Sequence, residues 1–185
     1  MRILFFLFLT TVFLAPAQSQ REIWQTREGK VSFLSDAPLE MIAASSEELR
    51  GVLDIEENTF AFAVNISSFD GFNSPLQRQH FNENYLESTL FPQTSFKGRI
   101  IEQVDFGKDG EYVIRAKGIL NVHGVERERI IKSTLVVKGN SISITSNFSV
   151  RLDEHNITIP RIVNQKIAEV IQVEVAAVLI KKSNP

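Results

Sequence analysis

Three histidines, His80, His123 and His155, and the adjacent carboxylates Glu47-Glu48, Glu56-Glu57 and Asp153-Glu154 are the residues whose types could support acid–base or metal chemistry. Catalysis of that kind needs a base, a nucleophile and an orienting group brought together, or metal ligands that cluster. The sequence offers no such convergence. His80 lies in a short helical segment, His123 precedes Gly124 in a tight turn, and His155 sits in the polar loop "RLDEHN". Adjacent residues at a strand end point in different directions, so Asp153, Glu154 and His155 do not face one ion. The carboxylate pairs read as solvated edges. The chain has no cysteine, hence no thiolate nucleophile, cysteine metal cluster or disulfide framework. The sequons at Asn65, Asn147 and Asn156 have a consequence only in a glycosylating secretory pathway. The expectation is a protein that is not an enzyme, with no catalytic residue, no metal ligand and no resident cofactor.

What would position such residues begins with the leader "MRILFFLFLTTVFLAPAQSQ". Arg2 supplies a positive start, Ile3 to Leu14 is apolar but too short to span a bilayer, and Ala15-Pro16-Ala17 fits a small-x-small cleavage site. The segment reads as a secretory signal peptide, 1–17, followed by one domain over 18–185. Cleavage after Ala17 leaves 168 residues, enough for one sizeable core, and moves the formal charge from −2 to −3. That overall balance leaves no strong electrostatic case for nucleic acid or an anionic membrane as a partner. A signal without cysteine after it predicts a soluble periplasmic protein with no lipid anchor.

The rest of the chain alternates with period two. Ile142, Ile144, Phe148, Val150 and Leu152 share one face, opposite Ser143, Thr145, Asn147, Ser149 and Arg151. Ile171, Val173, Val175, Ala177 and Leu179 do the same, as do Phe60, Phe62, Val64 and Ile66, and Tyr112, Ile114, Ala116, Gly118 and Leu120. Shorter strands are expected over Lys30 to Ser35, Glu48 to Ile55, Thr94 to Ile101 and Glu126 to Lys138. Turn residues at Gly107, Asp109-Gly110, Gly124 and Gly139-Asn140 separate the runs. About eight short-spaced strands predict an all-β fold, an antiparallel barrel or sandwich.

One stretch, "SPLQRQHFNENYLESTLFPQTSF", interrupts the pattern. Ser74 suits an N-cap, Pro75 the first helical position, and Gln77 completes a capping box. A helix from about Pro75 to Glu87 is expected, with Leu76, His80, Phe81, Asn84 and Tyr85 on one stripe. Pro92 disfavours its continuation. An amphipathic helix beside strands would cover a barrel's open mouth.

Ten of the 14 phenylalanines lie beyond the leader. In a small barrel, core and cavity share the same lining positions. Small residues on the apolar stripes (Gly51, Ala116, Gly118, Ser146, Ala177) fit either unfilled volume or sites where strands bend and pack closely. Composition leaves a filled and a hollow barrel equally open.

Several segments are similar to one family. "GKVSFLSDAPLEMIAASSEELRGVLDI", "NYLESTLFPQTSFKGRI", "YVIRAKGILNVHGVERE" and "FSVRLDEHNITIP" occur in the order of the corresponding motifs of the YceI-like family of exported proteins. The resemblance implies a lipocalin-like barrel that binds polyisoprenoid lipids, with the Ser74–Phe96 stretch as a closing and lining element. Two segments depart from the family pattern, the helix "SPLQRQHFNENYLES" and the loop "LDEHNITIP". The expected ligand is an apolar chain, a polyisoprenoid or isoprenoid quinone. Its expected lining is Phe33, Phe60, Phe62, Val64, Phe81, Tyr85, Phe91, Phe96, Ile114, Phe148 and Val173. An outward-facing "TFAFAVNI" would instead make Phe60 and Phe62 an oligomer interface. A transient membrane contact and a homodimer are further partner expectations. The competing reading is a filled, ligand-free interaction module of the cell envelope.

Overall fold

Alternation of large apolar and polar side chains has the consequence expected of it: one face of every strand is withdrawn from water. The computed structural model describes residues 21–182; the expected leader at 1–17 lies outside them. The strands are β1 (Ile23–Asp36), β2 (Met41–Asp54), β3 (Thr59–Asn65), β4 (Gln93–Ile100), β5 (Gly110–Val122), β6 (Val125–Lys138), β7 (Ser141–Arg151) and β8 (Val170–Lys181). Each pairs antiparallel with the next and β8 closes onto β1, giving a closed eight-stranded meander barrel. Phe60, Val64, Ile114, Leu120, Ile142, Ile144 and Leu179 are buried on the inner face. The outer wall carries cross-strand ion pairs such as Lys117–Glu128 (3.3 Å) and Lys97–Glu126 (3.8 Å). This is the reverse of a lipid-embedded barrel, which puts its apolar side chains outward.

Two strands run further than their alternation suggests. β1 begins seven residues before Lys30, because its register shifts between Thr26 and Val31 and so breaks the period. After Ile42, the first half of β2 turns Ala44 and Ser46 inward; Ser46 is buried there, its hydroxyl 2.6 Å from that of Ser68. The β5–β6 turn, His123-Gly124, holds φ values of 52° and 70°, the pair of left-handed residues that a two-residue type I′ hairpin requires.

The ends of the barrel differ. At one end Trp24, Leu53, Val137, Ile142 and Leu179 are buried together, and Phe106 of the β4–β5 connection packs into the same cluster. The other end receives the connections 37–40, 66–92, 123–124 and 152–169. There the expected helix is shorter than its sequence pattern. Helix α1 covers Pro75–His80 and widens into a π-helical turn over Phe81–Tyr85. Ser74 Oγ accepts from the Gln77 amide (3.2 Å), but Gln77 Oε1 accepts from the amide of Asn73 instead of closing the box on Ser74. The wider turn puts Leu86, whose amide donates to Phe81 O at 2.9 Å, on the inner side, in place of Asn84 on the expected stripe.

The wall is not laddered evenly. β6 and β7 pair from Ser133↔Ser146 to Lys138↔Ser141 and no further toward the mouth, although β6 extends back to Val125 and β7 on to Arg151. Arg129 bridges this seam, donating from Nη2 to Ser149 O (2.7 Å) and from Nη1 to Glu154 Oε2 (3.1 Å).

Candidate functional site

The barrel is hollow. A cavity of about 560 Å³ extends from the mouth down to Leu53, Ile100 and Leu135, within the roughly 300–1,000 Å³ usual for small-molecule sites. Of the expected lining, Phe33, Phe60, Phe62, Val64, Phe81, Tyr85, Phe96, Ile114, Phe148 and Val173 border this space. Phe91 does not. Inward positions of β4 are Thr94, Phe96, Gly98 and Ile100, and Phe91 falls on the opposite parity. Its ring meets His123 edge-on at 4.7 Å and lies over Gly124, where a Cβ would stand 2.4 Å from it.

The stripe residues left ambiguous by sequence divide by their neighbours. A Cβ on Gly51 would lie 2.1 Å from the Phe62 ring across the β2–β3 pair, so the glycine makes room for that ring. Gly118 faces Gly98 across β4–β5, and a Cβ there would strike Lys97 O at 2.2 Å. That position is a close approach of two backbones and leaves no void.

Four aromatics crowd the mouth. Phe33 of β1 stacks on Phe81 of the π turn (5.3 Å, 13°), and Phe69 and Phe72 of the 66–73 segment pack on both at 5.1–6.0 Å. Sequence reasoning missed Phe69 and Phe72. They lie in "SSFDGFNS", a stretch without period two, and their spacing of three around Gly71 (φ +98°) was the signal available.

Several polar groups inside the cavity are satisfied by the protein itself. The hydroxyls of Ser133 and Ser146 are 2.6 Å apart. Thr94 Oγ1 donates to Asn121 O at 2.5 Å, and Ser35 Oγ accepts from the Ala168 amide at 2.9 Å. Burial pushes the Tyr85 phenol above its ordinary pKa, favouring the neutral form. Charged side chains border the space only at the rim: Glu40, whose Oε1 accepts from Gln77 Nε2 at 2.5 Å, and Lys166, with His80 beside them. The depth of the cavity is built for apolar matter.

The histidines do not assemble. His80 lies at the rim, whereas His123 and His155 are joined only through backbone, His123 Nδ1 donating to His155 O at 3.1 Å. Among the described residues no group of three His, Asp or Glu side chains is placed to hold a metal ion. Nor is any described helix long and apolar enough to cross a membrane.

Comparison with known proteins agrees with this architecture. The YceI-like domain pattern matches residues 25–179. No curated protein matches the chain significantly. Among solved structures, a polyisoprenoid binding domain from Saccharophagus degradans implicated in plant cell wall breakdown is 9% identical, with a TM-score of 0.74 over 88% of this chain and 100% of that one. BcnA of Burkholderia cenocepacia is 15% identical (TM-score 0.65, 81% and 95% covered), and a YceI protein of Campylobacter jejuni 11% identical (0.54, 97% and 94%). At such identities the likeness shows the fold alone.

Proposed function

From the premise that the chain belongs to the YceI-like family, we propose that it is an exported carrier or store of a long apolar lipid, a polyisoprenoid or isoprenoid quinone, held within the barrel. The observation that carries the reading is the 560 Å³ cavity lined mainly by apolar side chains, with the Ser133, Ser146 and Thr94 hydroxyls already paired and the charged groups of the lining at its rim. A polyisoprenoid binding domain among the structural neighbours supports the ligand class. Transfer of apolar surface from water yields roughly 25 cal/mol per Å², so an isoprenoid tail needs no charge partner to bind. The ten cavity-bordering residues of the expected set are its proposed contacts, with Phe69, Phe72 and Leu86 added. The protein acts by sequestering the chain from water and catalyses no step.

The test is organic extraction of protein expressed from the full sequence, followed by mass spectrometry of the extract and of the intact chain. A stoichiometric isoprenoid, lost in Phe62→Glu and Phe148→Glu variants that keep the β-sheet circular dichroism of the parent, is the expected result. A lipid-free extract from folded protein made in its native host would sink the reading and favour the interaction module.

A further inference from the structure

Large apolar side chains stand in water along the outer wall, as at Val113, Ile130 and Val178, and also around the mouth. Several stand together where the cavity opens. Ile162 is 91% exposed, Leu39 67%, Met41 59% and Leu76 57%. Backbone and side-chain hydrogen bonds hold their segments as one platform. The Leu39 amide donates to Gln165 O (2.9 Å), Asn73 Nδ2 to Met41 O (2.9 Å), and Gln77 to Glu40. Leu76, Val163, Lys166 and Ile167 of the same platform also border the cavity.

The segment that carries the most exposed of these, Ile162, has a distinct charge. Residues 156–168, "NITIPRIVNQKIA", contain Arg161 and Lys166 and no acidic residue. Neither cation is in an ion pair among the described residues. Carboxylates elsewhere at this end are held by cations, as in Asp70–Arg78 and Glu154–Arg129, and Glu40, the acidic residue within the platform, is engaged by Gln77 Nε2. Arg161-Ile162-Val163 is a single 3₁₀ turn entered from Pro160. Its central side chain points into solvent and its neighbour Val163 borders the mouth, with Arg161 just before them in the chain and Lys166 three residues after Val163.

An apolar tip flanked by cations fits a surface that is negative outside and apolar beneath, which is the chemistry of an anionic bilayer. We propose that this turn seats the mouth of the barrel on an anionic lipid bilayer, Ile162 entering the acyl boundary and Arg161 and Lys166 resting among the headgroups. Leu39, Met41 and Leu76 then meet the interface around the opening, and an apolar chain passes between bilayer and cavity without crossing water. The inference rests on the apolar-carrier reading for its purpose, and on the rim alone for its chemistry.

Flotation with vesicles of phosphatidylcholine, with and without phosphatidylglycerol, tests it on protein whose intact mass shows that the leader is gone. Binding is expected only with phosphatidylglycerol and is expected to weaken with salt. Arg161→Gln and Lys166→Gln should each lower it about fivefold. Ile162→Glu should lower it about tenfold or more while leaving the fold unchanged. Absence of flotation, flotation undiminished in Ile162→Glu, or a second copy of the chain released by that substitution would each overturn the proposal. Lipid in the extract without flotation removes the docking site and leaves the carrier; flotation with a lipid-free cavity does the reverse.

Discussion

Glu87 Oε2 lies 2.6 Å from Nε2 of His123, and Nδ1 of the same ring lies 3.1 Å from the backbone oxygen of His155. The ring therefore ties a carboxylate on one side to a backbone carbonyl on the other. Three connections meet there: the end of 66–92, the β5–β6 turn and the turn Asp153–His155. Glu87 and His123 both hold left-handed backbone, φ 43° and 52°, an arrangement that the contacts must sustain.

His123→Ala removes both bonds from a ring that is nearly buried and should cost about 1–3 kcal/mol in urea unfolding. Glu87→Gln, at the more exposed partner, should cost less, about 0.5–1 kcal/mol. Equal stability of parent and His123→Ala would show that the three connections hold without the ring.

The Ser133–Ser146 hydroxyl pair gives a prediction with a characteristic sign. Ser133→Ala alone leaves a hydroxyl without its partner against an apolar cavity and should destabilise by about 1 kcal/mol, as should Ser146→Ala. The double alanine variant should recover most of the loss, because removing both partners is nearly neutral. Strictly additive losses in urea midpoints would mean that the pair is not coupled.

His155 is fully buried, its Nδ1 donating to Val125 O at 3.2 Å and its Nε2 without a partner among the described residues. Desolvation holds its pKa below the ordinary 6.5. The unfolded chain therefore binds a proton that the folded chain refuses, and stability falls as pH drops below about 6.5 toward the lower folded value. Depressed carboxylates act in a separate, more acidic window. Glu102 is lowered first by the Arg115 amide, Asp153 by the Arg151 side chain and Glu22 by Lys181; what they contribute is present above their ordinary values of 4.5, 3.8 and 4.5 and is lost below. His155→Asn should flatten the fall in melting temperature between about pH 7.5 and about 5.5. An unchanged slope would place its origin in another group.

Gly51→Ala should keep the barrel but force the Phe62 ring inward, since a Cβ at that site would overlap the ring. The expected cost is about 1–3 kcal/mol from overpacking, with less extractable lipid per protein than in the parent. Parental lipid content would show that Phe62 relaxes away from the cavity.

Much of this fold is legible in the sequence. The inward faces of β3, β5, β7 and β8 follow from strict alternation of residues such as Phe60, Ile114, Ile144 and Leu179, because side-chain direction in a strand has period two. The early parts of β1 and β2 are not legible, since the shift near Gly29 and the inward Ser46 break that period. Phe91 is misplaced by sequence for a related reason: an aromatic beside Pro92 reads as lining until the parity of β4 is known. Phe69, Phe72 and Leu86 reach the cavity through irregular backbone and a π turn, which no short-range pattern specifies. Whether apolar stripes fill or enclose space depends on the distance across the barrel, a quantity that composition does not contain.

A ring of strands bonded rung for rung has a fixed circumference. This one is stitched by backbone from Ser133↔Ser146 downward, but toward the mouth its β6–β7 seam is clasped by the guanidinium of Arg129. Backbone rungs do not change length, whereas a side chain has rotamers. The bore is therefore gauged at its floor and adjustable at its collar: amides of β6 ahead of Ser133 that face the seam should exchange with deuterium before those of its lower rungs, and the width of cargo admitted is set by a buckle more than by the weave.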